Sequence, residues 1–325
     1  MHILEPWGKK VPINVRQYLD SNKVKGTLYI WVPQEAKYPY FPTEHLTVLP
    51  YKEKCKLVFI VGNYAHIKDI YKLTGLQDIE IVPYQSYFFD KSYTTLAKQS
   101  NPQFAKIENY NFQKLFISLN NVLRTDRTYF VDTLFKYNLD GYLSFLQIND
   151  KHRMLFKYWK NAKVINFQGI ESRKTPFKVS LPKEWYQAPI HLISETMNEV
   201  LSNGDIRITE KTCYPLLTGK PFLVAGPQGF HKNLERLGFE LYTEIFDYSF
   251  DSIENYEERI DFMIKMVRNL KYNSYNNLYL RCYKKARRNA EYCIRYMNKQ
   301  RPPLVNKLAM HLSDELDLDA SINNL

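Results

Sequence analysis

A chain of 325 residues with 45% apolar side chains is long enough for two ordinary domains and can bury a substantial core, which excludes a disordered tail or a small disulfide scaffold. Its four cysteines, Cys55, Cys213, Cys282 and Cys293, have no paired short spacing, which argues against a zinc ribbon and for a reducing compartment. The formal net charge is +11, and eleven basic residues against one acid, Glu291, between Lys265 and Arg301 account for +10 of it, so the rest of the chain is close to neutral.

The N-terminus has no apolar run long enough for the core of a signal peptide, and no stretch approaches the roughly 18 apolar residues of a membrane span. A cytoplasmic protein is the expectation. Short apolar runs at 1–4, 27–32, 57–61 and 79–83 read as strands, with helical patterns at 13–21 and 67–74 between them. Such alternation predicts a mostly parallel sheet covered by helices. Residues 99–102 read as a loop approaching a domain boundary.

A second alternation begins at Lys114. Strands are predicted at 115–119, 142–146, 191–194 and 221–225, and helices at 128–137, 209–217, 252–269 and 277–299. The expected fold class is therefore α/β, with two Rossmann-like domains and a helical C-terminus. The predicted divisions are 1–108, 109–270 and 271–325, the last holding a basic helix and an acidic tail.

The most informative stretch runs from Ile193-Ser-Glu-Thr196 through Ile208-Thr-Glu-Lys-Thr212 to Gly229. A strand ends near Glu195, a loop crosses to a helix starting at Thr209, and Gly219 stops that helix. Unpaired N–H groups and the positive dipole at a helix start favour an anion, and Lys211 in the first turn adds a full charge. Glu195 at a strand end suits ribose hydroxyls. The same residues also read as an ordinary cap, Thr209, a dipole-matched acid, Glu210, and a solvated Lys211.

The run from Ile193 to Phe239 resembles the donor-binding segment of the fucosyltransferase-like glycosyltransferases of bacteria, bacteriophages and large viruses. In that family an acidic residue after a strand precedes a Thr/Ser-Glu-Lys helix, then a small residue, Gly, Pro and an apolar strand. The block Phe116-Ile-Ser-Leu-Asn-Asn-Val-Leu-Arg-Thr-Asp-Arg-Thr128 is similar to the family's strand, Leu-Asn and Arg-x-His-Arg sequence, with Asp126 where His is usual. The resemblance covers about 115–251 and implies a two-domain GT-B enzyme whose domains face a cleft. It would be inverting and metal-independent, taking a nucleotide-sugar donor and no further cofactor. Arg124, Arg127, Glu195, Thr209, Glu210 and Lys211 would form the donor site, with the arginines clamping a diphosphate. A carboxylate acts as general base in such enzymes, and Asp90 and Glu5, at predicted strand ends, are the candidates.

No metal site is expected, since the only Asp-x-Asp is Asp317-Leu-Asp319 in the acidic tail, and ATP and dinucleotide loops are absent. On the predicted C-terminal helix, Arg281, Lys284, Arg288, Arg295 and Lys299 share a face, with Lys285 beside them, while Cys282, Ala286, Ala290, Cys293 and Met297 share another. An outward basic stripe of this density suits duplex DNA. Hydroxymethylated bases in phage DNA are then the favoured acceptor, placing the enzyme in the host cytoplasm. The alternatives are a cell-surface or viral glycan or glycoprotein acceptor, a solvated helix or one at an anionic membrane surface, and a non-catalytic nucleic-acid-binding protein with a transferase fold.

Overall fold

The computed structural model describes residues 2–4, 26–32, 55–61, 80–83, 111–120, 124–145, 157–158, 181–195 and 208–300. The chain divides into two compact units, residues 1–87 with 296–325, and residues 88–295.

The first unit holds strands β1 (His2–Leu4), β2 (Gly26–Val32), β3 (Cys55–Val61) and β4 (Glu80–Pro83). They lie in sequence order, every neighbouring pair parallel. Parallel neighbours need a crossover rather than a hairpin, which is what the long intervals between the apolar runs predict. Leu57, Val58 and Phe59 are buried in succession, so β3 is covered on both faces. The helices expected at 13–21 and 67–74, and the candidate bases Glu5 and Asp90, lie outside the described residues.

The second unit carries β5 (Phe116–Asn120), α1 (Thr125–Lys136), β6 (Gly141–Phe145), β7 (Ile190–Ser194), α2 (Glu210–Leu217), β8 (Phe222–Ala225), α3 (Phe230–Arg236), α4 (Tyr256–Arg268) and α5 (Tyr275–Gln300). Short 3-10 turns occupy Lys183–Gln187 and Tyr248–Ser252. The sheet is wholly parallel in the order β6-β5-β7-β8. All residues of β7 and β8 are buried, as a parallel sheet layered by helices requires. The chain is thus α/β, with two parallel sheets and five α-helices among the described residues.

Local chemistry sets the helix limits. Thr128, expected at the start of α1, lies inside the first turn: its N–H and hydroxyl both donate to Arg124 O, at 2.8 Å each, and Asp126 sits favourably against the dipole three residues earlier than predicted. α4 begins at Tyr256 rather than 252 because Asn255 is the cap, accepting the Glu258 N–H at 3.0 Å. α2 ends in a Schellman turn: Gly219 takes φ 63°, its N–H donates to Leu216 O, and the Lys220 N–H donates to Pro215 O.

α3 was not legible in the sequence. Its first N–H groups, those of His231 and Lys232, donate to the carboxylate of Asp251, which also receives His231 Nδ1 at 2.8 Å. The other ring nitrogen, Nε2, accepts the Val224 N–H at 3.1 Å. Burial works against the charge on Asp251, but the hydrogen bonds from His231 and the Lys232 N–H outweigh it and hold its pKa below the ordinary value. Arg259 of α4 reaches over to donate to Gly226 O, tying α4 to the end of β8.

α5 packs on this unit through Leu278, Cys282, Ala286, Ala290 and Cys293, each fully buried. The expected apolar stripe is therefore inward for those residues. Tyr279 Oη donates to Gly219 O at 3.0 Å, joining α5 to the turn that closes α2.

Candidate functional site

β5 and β7 are adjacent, yet they pair only at Phe116 with Ile190 and Ile117 with His191. Beyond those pairs the ladder between the two strands stops. From β5 the chain runs outward to β6, and it returns on the other side to β7, so their carboxyl ends form the switch point of an open α/β sheet, where such folds bind ligands. Asn120 ends β5 and Ser194 ends β7.

The sequence-predicted donor residues gather around these two ends. Arg124 precedes α1, and Arg127, in its first turn, is only 2% exposed. Thr209 caps α2, accepting the Lys211 N–H, and Lys211 Nζ donates to Ser194 O at 3.1 Å, which brings its ammonium to the end of β7. The side chain of Lys211 keeps some exposure, but protein surrounds the ammonium. Burial first, then the charge of Arg127, push its pKa down to about 8, against the opposing pull of Glu195 and Glu210. Burial likewise lowers the pKa of Arg127, with Arg124 adding to the effect and Asp126, Glu195 and Glu210 opposing it. Arg124, Arg127, Glu195, Glu210 and Lys211 thus act on one another as a single electrostatic cluster.

Three cations here face three acids, Asp126 included, so net charge alone does not favour an anion. What does is the state of the cations. Both Arg127 and Lys211 are held below their ordinary pKa chiefly by burial, which strips water from their charged forms, and an anion placed against them would favour those forms.

Glu195 has a different place from the one expected. It is 1% exposed, and its carboxylate accepts the Thr209 N–H at 3.2 Å, the Thr209 hydroxyl at 2.7 Å and the Thr212 hydroxyl at 2.8 Å. A carboxylate committed to three donors of α2 serves as that helix's anchor and as the counter-charge of the cluster, rather than as a free acceptor for ribose.

The basic helix also departs from expectation. Arg288 makes a bidentate pair with Glu240 at 2.6 and 2.7 Å. Lys285 Nζ lies 2.9 Å from Glu244 and donates to Leu241 O at 2.6 Å, while Arg281 donates to Glu244 O and Lys271 O. These three side chains clamp the segment 240–244 onto α5 instead of standing free for phosphates. The proximity of Glu240 and Glu244, brought there by folding, is what the linear charge count conceals. Arg281 and Arg288 stay exposed all the same, as do Lys284, Arg287, Arg295 and Lys299.

Several site features have no signature in the sequence. Asn120 and Ser194 are 3% and 1% exposed, and Asn120 Oδ1 and Ser194 Oγ find no hydrogen-bond partner among the described residues. At the opposite end of β7, Lys220 is buried with its ammonium over the Trp185 ring and donating to Ala188 O, and burial pushes its pKa down to about 7. His191, against the same indole, is held neutral by burial and by the nearby charges of Lys220 and Lys211. Whether a polar atom is satisfied depends on tertiary neighbours, which residue spacing does not encode.

Among the described residues no group of His, Cys, Asp and Glu could hold a metal ion, and no helix is long and apolar enough to cross a membrane. No protein-family model matches the chain, and no curated protein matches it.

Proposed function

We propose that the second unit binds the diphosphate of a nucleotide sugar and that the chain is a GT-B-type glycosyltransferase, inverting and independent of metal. The observation that carries this reading is the meeting of Arg127 and Lys211 at the carboxyl ends of β5 and β7, both with their charge largely withdrawn from water, beside the first turn of α2. In such a site the two cations hold the diphosphate and offset the charge that grows on it as the bond to the sugar breaks. Arg124 adds a third positive group at the rim. Thr209 and Glu195 set the position of Lys211 through α2, and Glu210 sits in the same turn. The acceptor hydroxyl gives its proton to a carboxylate, for which Asp90 and Glu5 are the candidates.

Of the acceptors that the sequence raises, a glycan or protein hydroxyl stands ahead of duplex DNA. Arg281, Lys285 and Arg288 are engaged within the chain, which leaves the helix with few cations to neutralise phosphates. A gel-shift series in salt measures this: with about three phosphates neutralised, log affinity for duplex DNA falls with log salt at a slope of roughly −3, and a slope near −6 or steeper restores the DNA acceptor.

The decisive test of the donor site is a thermal-shift screen with UDP-, GDP- and CMP-linked sugars. A bound donor at about 100 times its Kd stabilises the native state by about 2.7 kcal/mol. The reading is refuted if no nucleotide sugar, at millimolar concentration, raises the melting temperature.

A further inference from the structure

We infer that Asn120 and Ser194 form a subsite for a sugar hydroxyl of the ligand whose diphosphate Arg127 and Lys211 hold; the inference rests on the anion-site reading above. It starts from two buried polar side-chain atoms without hydrogen-bond partners among the described residues. Buried polar groups are overwhelmingly hydrogen-bonded, and an orphan calls for a specific explanation. Two orphans, on adjacent strands and at equivalent depth, call for a shared one.

The register places them together. Phe116 pairs with Ile190 in a parallel ladder, so Phe116, Ser118 and Asn120 project from the same face of the sheet as Ile190, Leu192 and Ser194. Asn120 and Ser194 are thus the last residues of their strands on that face. The amide of Asn120 is held from behind: its Nδ2 donates to Ser118 Oγ at 3.1 Å, and its backbone N–H donates to Ser144 Oγ at 3.2 Å. With the nitrogen so engaged, the carbonyl Oδ1 is the atom that lacks a partner among the described residues. The Ser194 carbonyl oxygen receives Lys211 Nζ, so the hydroxyl of the same residue lies close to the ammonium of the anion site.

The chemistry of the two orphans selects the ligand group. Oδ1 only accepts, and an ionised phosphate has only acceptors to offer, so the anion itself cannot satisfy Asn120. A hydroxyl can, giving its proton to Oδ1 and taking one from Ser194 Oγ. Nucleotide sugars carry such hydroxyls on both sides of the diphosphate, on the ribose and on the transferred sugar. Both protein atoms are closed off from solvent in the ligand-free chain, so the group that reaches them is enclosed, and a wrong group leaves two buried atoms unpaired.

Titration calorimetry on the full chain separates the parts, with inorganic pyrophosphate, GDP and UDP, and GDP-mannose and UDP-glucose as probes. Ser194→Ala and Asn120→Ala are each expected to weaken the hydroxyl-bearing probes by about 3- to 10-fold, the loss of one net hydrogen bond, while leaving pyrophosphate within about 2-fold. Loss already seen with the nucleoside diphosphates assigns the subsite to ribose, and loss confined to the nucleotide sugars assigns it to the transferred sugar. Ligand-free Ser194→Ala should melt no lower than the wild type, since an orphaned hydroxyl is removed; a purely structural serine would lower it. Equal affinities of wild type and both variants for every probe overturn the subsite, leaving a trapped water as the occupant. Failure of the wild type to bind pyrophosphate or any nucleotide overturns the anion site, and this subsite with it.

Discussion

Lys211 offers the sharpest test, because its position and its ionisation make linked demands. Moving its pKa from 10.5 to about 8 corresponds to about 3 kcal/mol of destabilisation of the charged form. A diphosphate placed against the ammonium returns much of that energy, so binding and protonation are coupled. The sign follows directly: below pH 8 the free protein already carries the proton and affinity is constant, whereas above it each bound ligand must take up a proton. Log affinity then falls with a slope approaching −1, about tenfold between pH 8.5 and 9.5. Guanine and uracil themselves lose a proton in this range, so the titration uses CDP, whose cytosine does not and whose terminal phosphate has a pKa of about 6, and the range then reports on the protein. Lys211→Met should weaken binding at pH 7 by about 10- to 100-fold, the value of a charge-assisted contact, and abolish the dependence on pH. Lys211→Arg should keep part of the affinity and stay flat to pH 9.5. Titration calorimetry at four pH values is sufficient, and a wild-type affinity that does not change between pH 7 and 9.5 refutes the reasoning.

Other perturbations address stability. Glu195→Ala removes the acceptor of three hydrogen bonds and leaves the Thr209 N–H and two hydroxyls buried without it, which should destabilise the chain by about 3 kcal/mol in a denaturant titration. Lys220, with a folded pKa of about 7 below its unfolded 10.5, carries a penalty that is complete below pH 7 and fades as pH rises toward 10.5. Lys220→Met should therefore be more stable than wild type by roughly 1–3 kcal/mol at pH 6, with the difference shrinking by pH 9; melting curves at the two pH values decide it. Gly238→Ala places a methyl group against Tyr292 Oη at a φ of 96°, and a loss of at least about 2 kcal/mol is expected, whereas full stability would mean that the turn can open.

The strands of both sheets were legible because a parallel sheet writes itself as short, continuous apolar runs, and 27–32, 57–61 and 221–225 all fall within two residues of their observed limits. Arg127 and Lys211 were legible as first-turn residues of two helices that come after strands. Residues whose roles depend on partners far along the chain were not. Glu195 looks like any acid after a strand until Thr209 and Thr212 close on it, and the basic stripe of α5 loses its freedom only once Glu240 and Glu244, some 40 to 50 residues earlier, are folded against it. α3 escaped for the same reason: seven residues with little periodicity become a helix because Asp251, twenty residues on, anchors their N–H groups.

The ring of His231 closes the margin of the second sheet. Among the described residues β8 is the last strand of its sheet, and because Ala225 O and Pro221 O turn inward to β7, the Val224 N–H turns away from it. There it is already taken by Nε2. A foreign strand seeking to extend the sheet needs that donor, and a margin four residues long with its inner N–H occupied makes a poor template. Removing the imidazole would leave the Val224 N–H buried without its acceptor, a cost of about 1–3 kcal/mol.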